Sequence, residues 1–86
     1  MNRASTKKSS PKRRPPSELR AIFGARVRQL RESTELSQEA FAIQSGIARS
    51  YMSRLERGRA NPSLDAIYAL ASELGVDVID LFKQDK

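Results

Sequence analysis

The sequence predicts an all-α protein: a compact domain of five helices over residues 17–86, behind a disordered basic tail over residues 1–16. Three observations carry this. Apolar residues recur at three- and four-residue steps, the spacing of helices that bury one face. Ser, Gly and Pro fall where helices start and stop. Charge is partitioned: residues 1–16 hold six bases (Arg3, Lys7, Lys8, Lys12, Arg13, Arg14) and no acid, while residues 17–86 hold ten bases and ten acids. A segment of Ser, Thr, Lys, Arg and Pro cannot bury enough surface to offset the entropy of ordering it.

The first helix is expected from Ser17, a plausible N-cap, with Glu18 favourably placed at the positive end of the helix dipole. Leu19, Ile22, Phe23, Val27 and Leu30 give it one apolar face over about 16 residues. Gly24 within it costs about 1 kcal/mol relative to Ala, which suggests close helix packing at that point. The pattern breaks at Ser33-Thr34-Glu35. Ser37 caps a second helix with Phe41 and Ala42 inward, and Ser45-Gly46 ends it, since Gly takes the left-handed cap conformation without strain. A third helix spans about residues 48–57 with Met52 and Leu55 inward and Gly58 as its stop. Pro62 and Ser63 introduce a fourth, whose Leu64, Ile67, Leu70, Ala71 and Leu74 form an apolar stripe ending at Gly75. Asp77 caps a short last helix, about 77–83, holding Val78, Ile79, Leu81 and Phe82.

Composition limits the function. Eighty-six residues make one small domain with a marginal core, which oligomerisation would help. There is no cysteine and no histidine, so disulfides, Cys/His metal sites, thiol nucleophiles and imidazole bases are excluded. No catalytic constellation can be named, and neither an enzyme nor a cofactor or metal is expected. No apolar run approaches the roughly 18 residues that span a bilayer, and no apolar segment follows the basic N-terminus as in a secretory signal. A membrane-surface role also lacks its apolar anchor. A cytoplasmic protein is expected. Within the neutral body, residues 17–62 carry eight bases against five acids and residues 63–86 two against five, so one end should attract phosphate.

The stretch 37–58, SQEAFAIQSGIARSYMSRLERG, has the form of two short helices joined by a tight Gly-containing turn, a helix-turn-helix. A helix that enters the major groove needs donors on its outer face and apolar residues on its inner face. Met52 and Leu55 supply the second, and Arg49, Ser50, Ser53 and Arg54 are left outside. Arginine reads guanine through a bidentate bond worth about 1–3 kcal/mol of discrimination. Helical spacing alone describes a merely solvated face with two arginines equally well.

Several separated blocks add to this: Val27-Arg28-Gln29-Leu30-Arg31, Leu36-Ser37-Gln38-Glu39, Ser45-Gly46-Ile47, Tyr51 through Gly58, Asn61-Pro62-Ser63-Leu64, and Leu74-Gly75-Val76 through Leu81-Phe82. With them, residues 22–82 resemble the lambda-repressor/Cro-type helix-turn-helix family, also called the xenobiotic-response-element family. The resemblance implies a transcriptional regulator on double-stranded DNA. It implies base reading by Arg49, Ser50 and Arg54, with Ser53 a further reader, and backbone contacts from Tyr51, Arg57, Arg59 and Asn61. Gln38 is similar to a glutamine that bonds a phosphate and braces the recognition helix. Arg31 and Glu56 match a partly buried ion pair, assigned to structure.

Three positions depart from the family pattern. Ala48 stands where a Ser or Thr usually caps the recognition helix, a loss of about 1 kcal/mol. Ile43 and Ile79 are apolar where the family is usually charged, and isolated apolar residues on a surface are ordinary. Ile79 lies beside Val78 and Phe82 on the last helix, where the family often dimerises, so these three are the expected homodimer interface. Two recognition helices would then meet a near-palindromic site about 34 Å apart. The tail reads either as a solvated leader or as an arm on phosphates or the minor groove. The module leaves no room for an effector pocket, so no small-molecule effector is expected. The length suits both a restriction–modification controller and a small phage repressor. A rival reading is an antitoxin or interaction module that covers a partner protein and represses its own operon.

Overall fold

The computed structural model describes residues 15–84, which form four α-helices and a closing 3-10 helix, with no strand among them. The helices are α1 (Pro16–Ser33), α2 (Gln38–Ser45), α3 (Arg49–Glu56) and α4 (Leu64–Leu74), and the 3-10 helix is Val78–Phe82. Of the expected tail, residues 1–14 lie outside the described ones. Pro15 and Pro16 do not belong to it, because they start α1.

Helix α1 begins one residue before the expected Ser17 cap. Pro15 is its N-cap residue and Pro16 its first helical residue, with no side-chain cap. Proline's fixed φ suits the first turn, and its missing N–H leaves no donor orphaned. The Glu18 N–H donates to the Pro15 carbonyl at 2.9 Å. At the other end, Glu35 takes a left-handed φ of 68°, so the chain turns at Thr34-Glu35 without a glycine. The caps of α2 and α4 follow the sequence. Ser37 Oγ accepts from the Ala40 N–H and Ser63 Oγ from the Ala66 N–H, both at 3.0 Å. Gly46 and Gly75 end these helices at φ 70° and 73°.

The fifth expected α-helix is instead a 3-10 turn. The Asp80 N–H donates to the Asp77 carbonyl at 2.9 Å, and the Arg26 side chain takes the Asp80 carbonyl at 2.8 Å. A five-residue segment clamped from α1 in this way has no room to propagate i→i+4 bonding. Its Asp80 carboxylate accepts from the Asp77 N–H at 3.1 Å and pairs with Lys83 at 3.0 Å. Those contacts, the Lys83 bond first, hold the Asp80 carboxyl below its ordinary range.

The core is made by Phe23 and Val27 from α1, Phe41 and Ala42 from α2, Met52 and Leu55 from α3, Ala60 from the loop after α3, Leu70 and Ala71 from α4, and Leu81 from the 3-10 helix. Leu64, expected in the α4 stripe, is 82% exposed. It is the first residue of α4, and its turn projects past the core. Leu19 is likewise more than half exposed at the start of α1. No helix among the described residues is long and apolar enough to cross a membrane.

The tightest joint is between α1 and the end of α3. A Cβ on Gly24 would overlap the Leu55 carbonyl oxygen and lie 3.0 Å from the Glu56 oxygen and the Gly58 nitrogen. A Cβ on Gly58, whose φ is 77°, would lie 2.8 Å from the Ala21 Cα. The two glycines let the backbones of α1 and α3 touch.

Candidate nucleic-acid interface

Helix α3 is where the sequence-predicted reading residues meet. Its first residue follows Ala48, which gives no side-chain cap. Met52, Leu55 and Glu56 are buried, while Arg49, Ser50 and Arg54 are exposed and Ser53 is half-buried. Positions 49, 50, 53, 54 and 57 fall on one side of a helix of 3.6 residues per turn. The outer face therefore carries Arg49, Arg54 and the exposed Arg57 together with two hydroxyls.

The chain leaves α3 by a left-handed stop. Gly58 donates to the Leu55 carbonyl at 3.0 Å and Arg59 to the Arg54 carbonyl at 2.8 Å, the paired bonds of a glycine-terminated helix. Ala60 is then buried, and Arg59 and Asn61 on either side of it are exposed. The buried methyl pins the loop and the two polar side chains flank the end of α3. Asn61 and Pro62 border a shallow groove with Leu19, Arg20, Phe23, Ile67 and Phe82. The start of α1, to which the basic N-terminal residues attach, therefore lies beside this loop.

The inner side of α3 is fixed by a buried polar network. Arg31 of α1 donates from Nε to Glu56 Oε2 at 2.7 Å and from Nη2 to Oε1 at 3.1 Å. Its Nη1 donates to the Leu36 carbonyl at 2.8 Å, and Gln38 Nε2 at the start of α2 donates to Glu56 Oε1 at 3.0 Å. Arg31 and Glu56 are only 7% and 8% exposed. The bond to Glu56 raises the Arg31 pKa against the opposing effect of burial, so the guanidinium stays charged. One carboxylate thus ties α1, α2 and α3 together. The structure brings Arg31, Gln38 and Glu56 into one cluster and sets Arg49, Ser50, Arg54, Arg57, Arg59 and Asn61 on the surface around α3.

Tyr51 is half-buried, and the Arg54 guanidinium lies 5.3 Å from its ring centroid. Sequence reasoning missed this pair, although an i,i+3 spacing was available to signal it. It also missed the outer face of α4. Leu64 and Tyr68, one turn apart, are 82% and 67% exposed, and Ile79 on the neighbouring 3-10 helix is 70% exposed. Val78 and Phe82 are only about one-third exposed, and Phe82 packs on core Phe23 with ring centroids 5.3 Å apart. Ile43 on α2 is exposed as well.

Two short helices, a tight turn and a basic outer face define a helix-turn-helix protein. The chain belongs to the helix-turn-helix domain family, whose model matches residues 22–81. It is a DNA-binding transcriptional regulator. It is 44% identical over 64 residues to the control protein C.BamHI of Bacillus amyloliquefaciens, covering 73% of this chain and 79% of that protein. It is 38% identical over 55 residues to an immunity repressor protein of Bacillus phage phi105, covering 64% of this chain and 38% of that one. Its fold is similar to that of the restriction–modification controller protein C.AhdI from Aeromonas hydrophila. There the TM-score is 0.69 and the identity 44%, over 73% of this chain and 96% of that one.

Proposed function

We propose that the protein binds a near-palindromic operator as a homodimer, with α3 of each copy in successive major grooves on one face of the duplex. The observation that carries the reading is α3 itself. Arg49, Ser50 and Arg54 stand outside while Met52, Leu55 and Glu56 lock its inner face. Arg49 and Arg54 supply bidentate donors for guanine edges, and Ser50 and Ser53 supply hydroxyls for either kind of base. Arg57, Arg59 and Asn61 grip phosphates at the end of α3, and Gln38, at the start of α2, reaches another. The tail joins α1 beside Asn61, where its six bases extend the phosphate contacts. As a DNA-bound protein, it works on the nucleoid.

Dimerisation runs through Ile79 with Val78 and Phe82, and the exposed Leu64 and Tyr68 of the neighbouring α4 offer further apolar surface. Control then comes from protein concentration through the monomer–dimer equilibrium, without a small-molecule effector. The controller proteins above match over most of their own length and the phage repressor over 38% of its length. The higher identity to the controllers, 44% against 38%, favours the controller context over the phage one.

The test is selection from a pool of random-sequence duplexes at near-physiological salt. An enriched near-palindrome with half-sites about one helical turn apart is the expected result. Binding without an enriched sequence would reduce the protein to a nonspecific DNA coat. No binding, with a second small protein co-purifying, would make it a partner-covering module.

A further inference from the structure

Arg54 is exposed, yet its side chain is not loose. Its guanidinium carbon sits 5.3 Å from the centroid of the Tyr51 ring, inside the roughly 6 Å within which a ring face attracts a cation. Tyr51 is itself anchored. It is half-buried against the core and lines, with Ile47, Ala66 and Leu70, the groove between α3 and α4. One part of the ring is held by the fold and another carries the guanidinium.

We infer that Tyr51 is a positioning residue that holds Arg54 in one pose for reading a base edge, so that its main effect is on selectivity and not on backbone grip. The inference rests on the reading of Arg54 as a base-contacting residue. A long arginine side chain has wide rotamer freedom, and a bidentate pair with a base requires its planar fork to be aligned with that edge. A guanidinium already resting on a fixed ring has fewer poses to lose when it binds. Tyr51 is therefore part of the specificity apparatus without touching a base.

The full-length chain and its Tyr51→Phe, Tyr51→Leu, Arg54→Ala and Tyr51→Leu/Arg54→Ala variants distinguish the roles. The probes are the duplex selected by the wild type from the random pool and its single-base variants. Arg54→Ala should flatten the preference at one position of each half-site. Tyr51→Phe keeps the ring and should keep wild-type selectivity. Tyr51→Leu keeps apolar packing but loses the ring, and should lose about 2–5-fold of discrimination at that same position alone. The double variant should be no less selective there than Arg54→Ala.

A uniform weakening across all duplexes in both Tyr51→Phe and Tyr51→Leu would overturn the inference, because it would assign Tyr51 to the backbone through its hydroxyl. Full selectivity in Tyr51→Leu would overturn it as well. Unchanged selectivity in Arg54→Ala would overturn the reading of Arg54 and this inference with it. Those outcomes are distinct from a failure confined to Tyr51.

Discussion

Two joints of the domain are built to different tolerances. Where α1 meets α3, backbone touches backbone through Gly24 and Gly58, and the bidentate Arg31–Glu56 pair lies buried beside the contact. Where α1 and α4 meet the 3-10 helix, side chains do the joining. Phe82 lies on Phe23 and Arg26 holds one carbonyl, while Leu64, Tyr68 and Ile79 remain in solvent. Apolar contact is non-directional and accommodates small shifts. A buried fork-to-carboxylate pair accepts few geometries. The directional joint sits behind the helix proposed to read bases, and the tolerant joint lies along the 3-10 helix.

The sharpest way to break this contrast is Glu56→Gln. Arg31 would keep its charge in a buried site without a carboxylate, and Gln38 would lose its ionised acceptor. Removing one partner of a buried pair typically destabilises by about 3–5 kcal/mol. The urea midpoint should fall accordingly, with no compensating change in slope. Replacing both partners with apolar residues, Arg31→Met and Glu56→Leu, should restore much of the stability, because no uncompensated charge remains. A Glu56→Gln protein as stable as the parent would show that the network contributes nothing to the joint.

Gly24→Ala probes the same joint through the backbone. Alanine is the better helix former by about 1 kcal/mol, so on an open helix the change would stabilise. Here the new methyl meets the Leu55 carbonyl, which belongs to rigid backbone, and α1 must move away from α3. Overpacking of this kind costs about 1–3 kcal/mol, so the net effect is a loss of up to about 2 kcal/mol. Since α3 shifts, operator affinity should fall by more than the stability loss explains. An unchanged melting temperature and unchanged affinity would mean that the joint is as tolerant as the other one.

The same contrast explains which features were legible in the sequence. Ser37, Ser63, Gly46 and Gly75 were readable because a cap is settled by residues three or four apart. The α1 start was misplaced because Pro15-Pro16 and Ser17 offer competing start signals side by side, and the prolines set the backbone first. The 3-10 helix was unreadable because Arg26, fifty-four residues away, decides where the Asp80 carbonyl points. Gly24 signalled close packing, but not against which carbonyl. The ion pair was anticipated only through family resemblance, since no local spacing links residue 31 to residue 56. Leu64 kept perfect helical register and still points to water, because periodicity fixes a face but not how far along the helix the core extends.

That exposed register is the basis of the smallest effect on the fold. Ile79→Glu and Leu64→Glu each alter a side chain that the monomer scarcely buries, so monomer stability should change by no more than about 0.5 kcal/mol. If the surface beside the tolerant joint is an interface between two copies, the introduced carboxylates face each other or an apolar surface when dimers form. Sedimentation equilibrium should then show the dimer weakened, and operator binding should become steeper in protein concentration while half-site preference stays intact. Phe82→Ala behaves differently, because it also removes the ring packed on Phe23 and so lowers stability with association. Normal dimers in both glutamate variants would move the interface elsewhere and leave Leu64, Tyr68 and Ile79 as an ordinary wet surface. Loss of dimers in Leu64→Glu but not in Ile79→Glu would centre the interface on α4 and not on the last helix, where the sequence alone placed it.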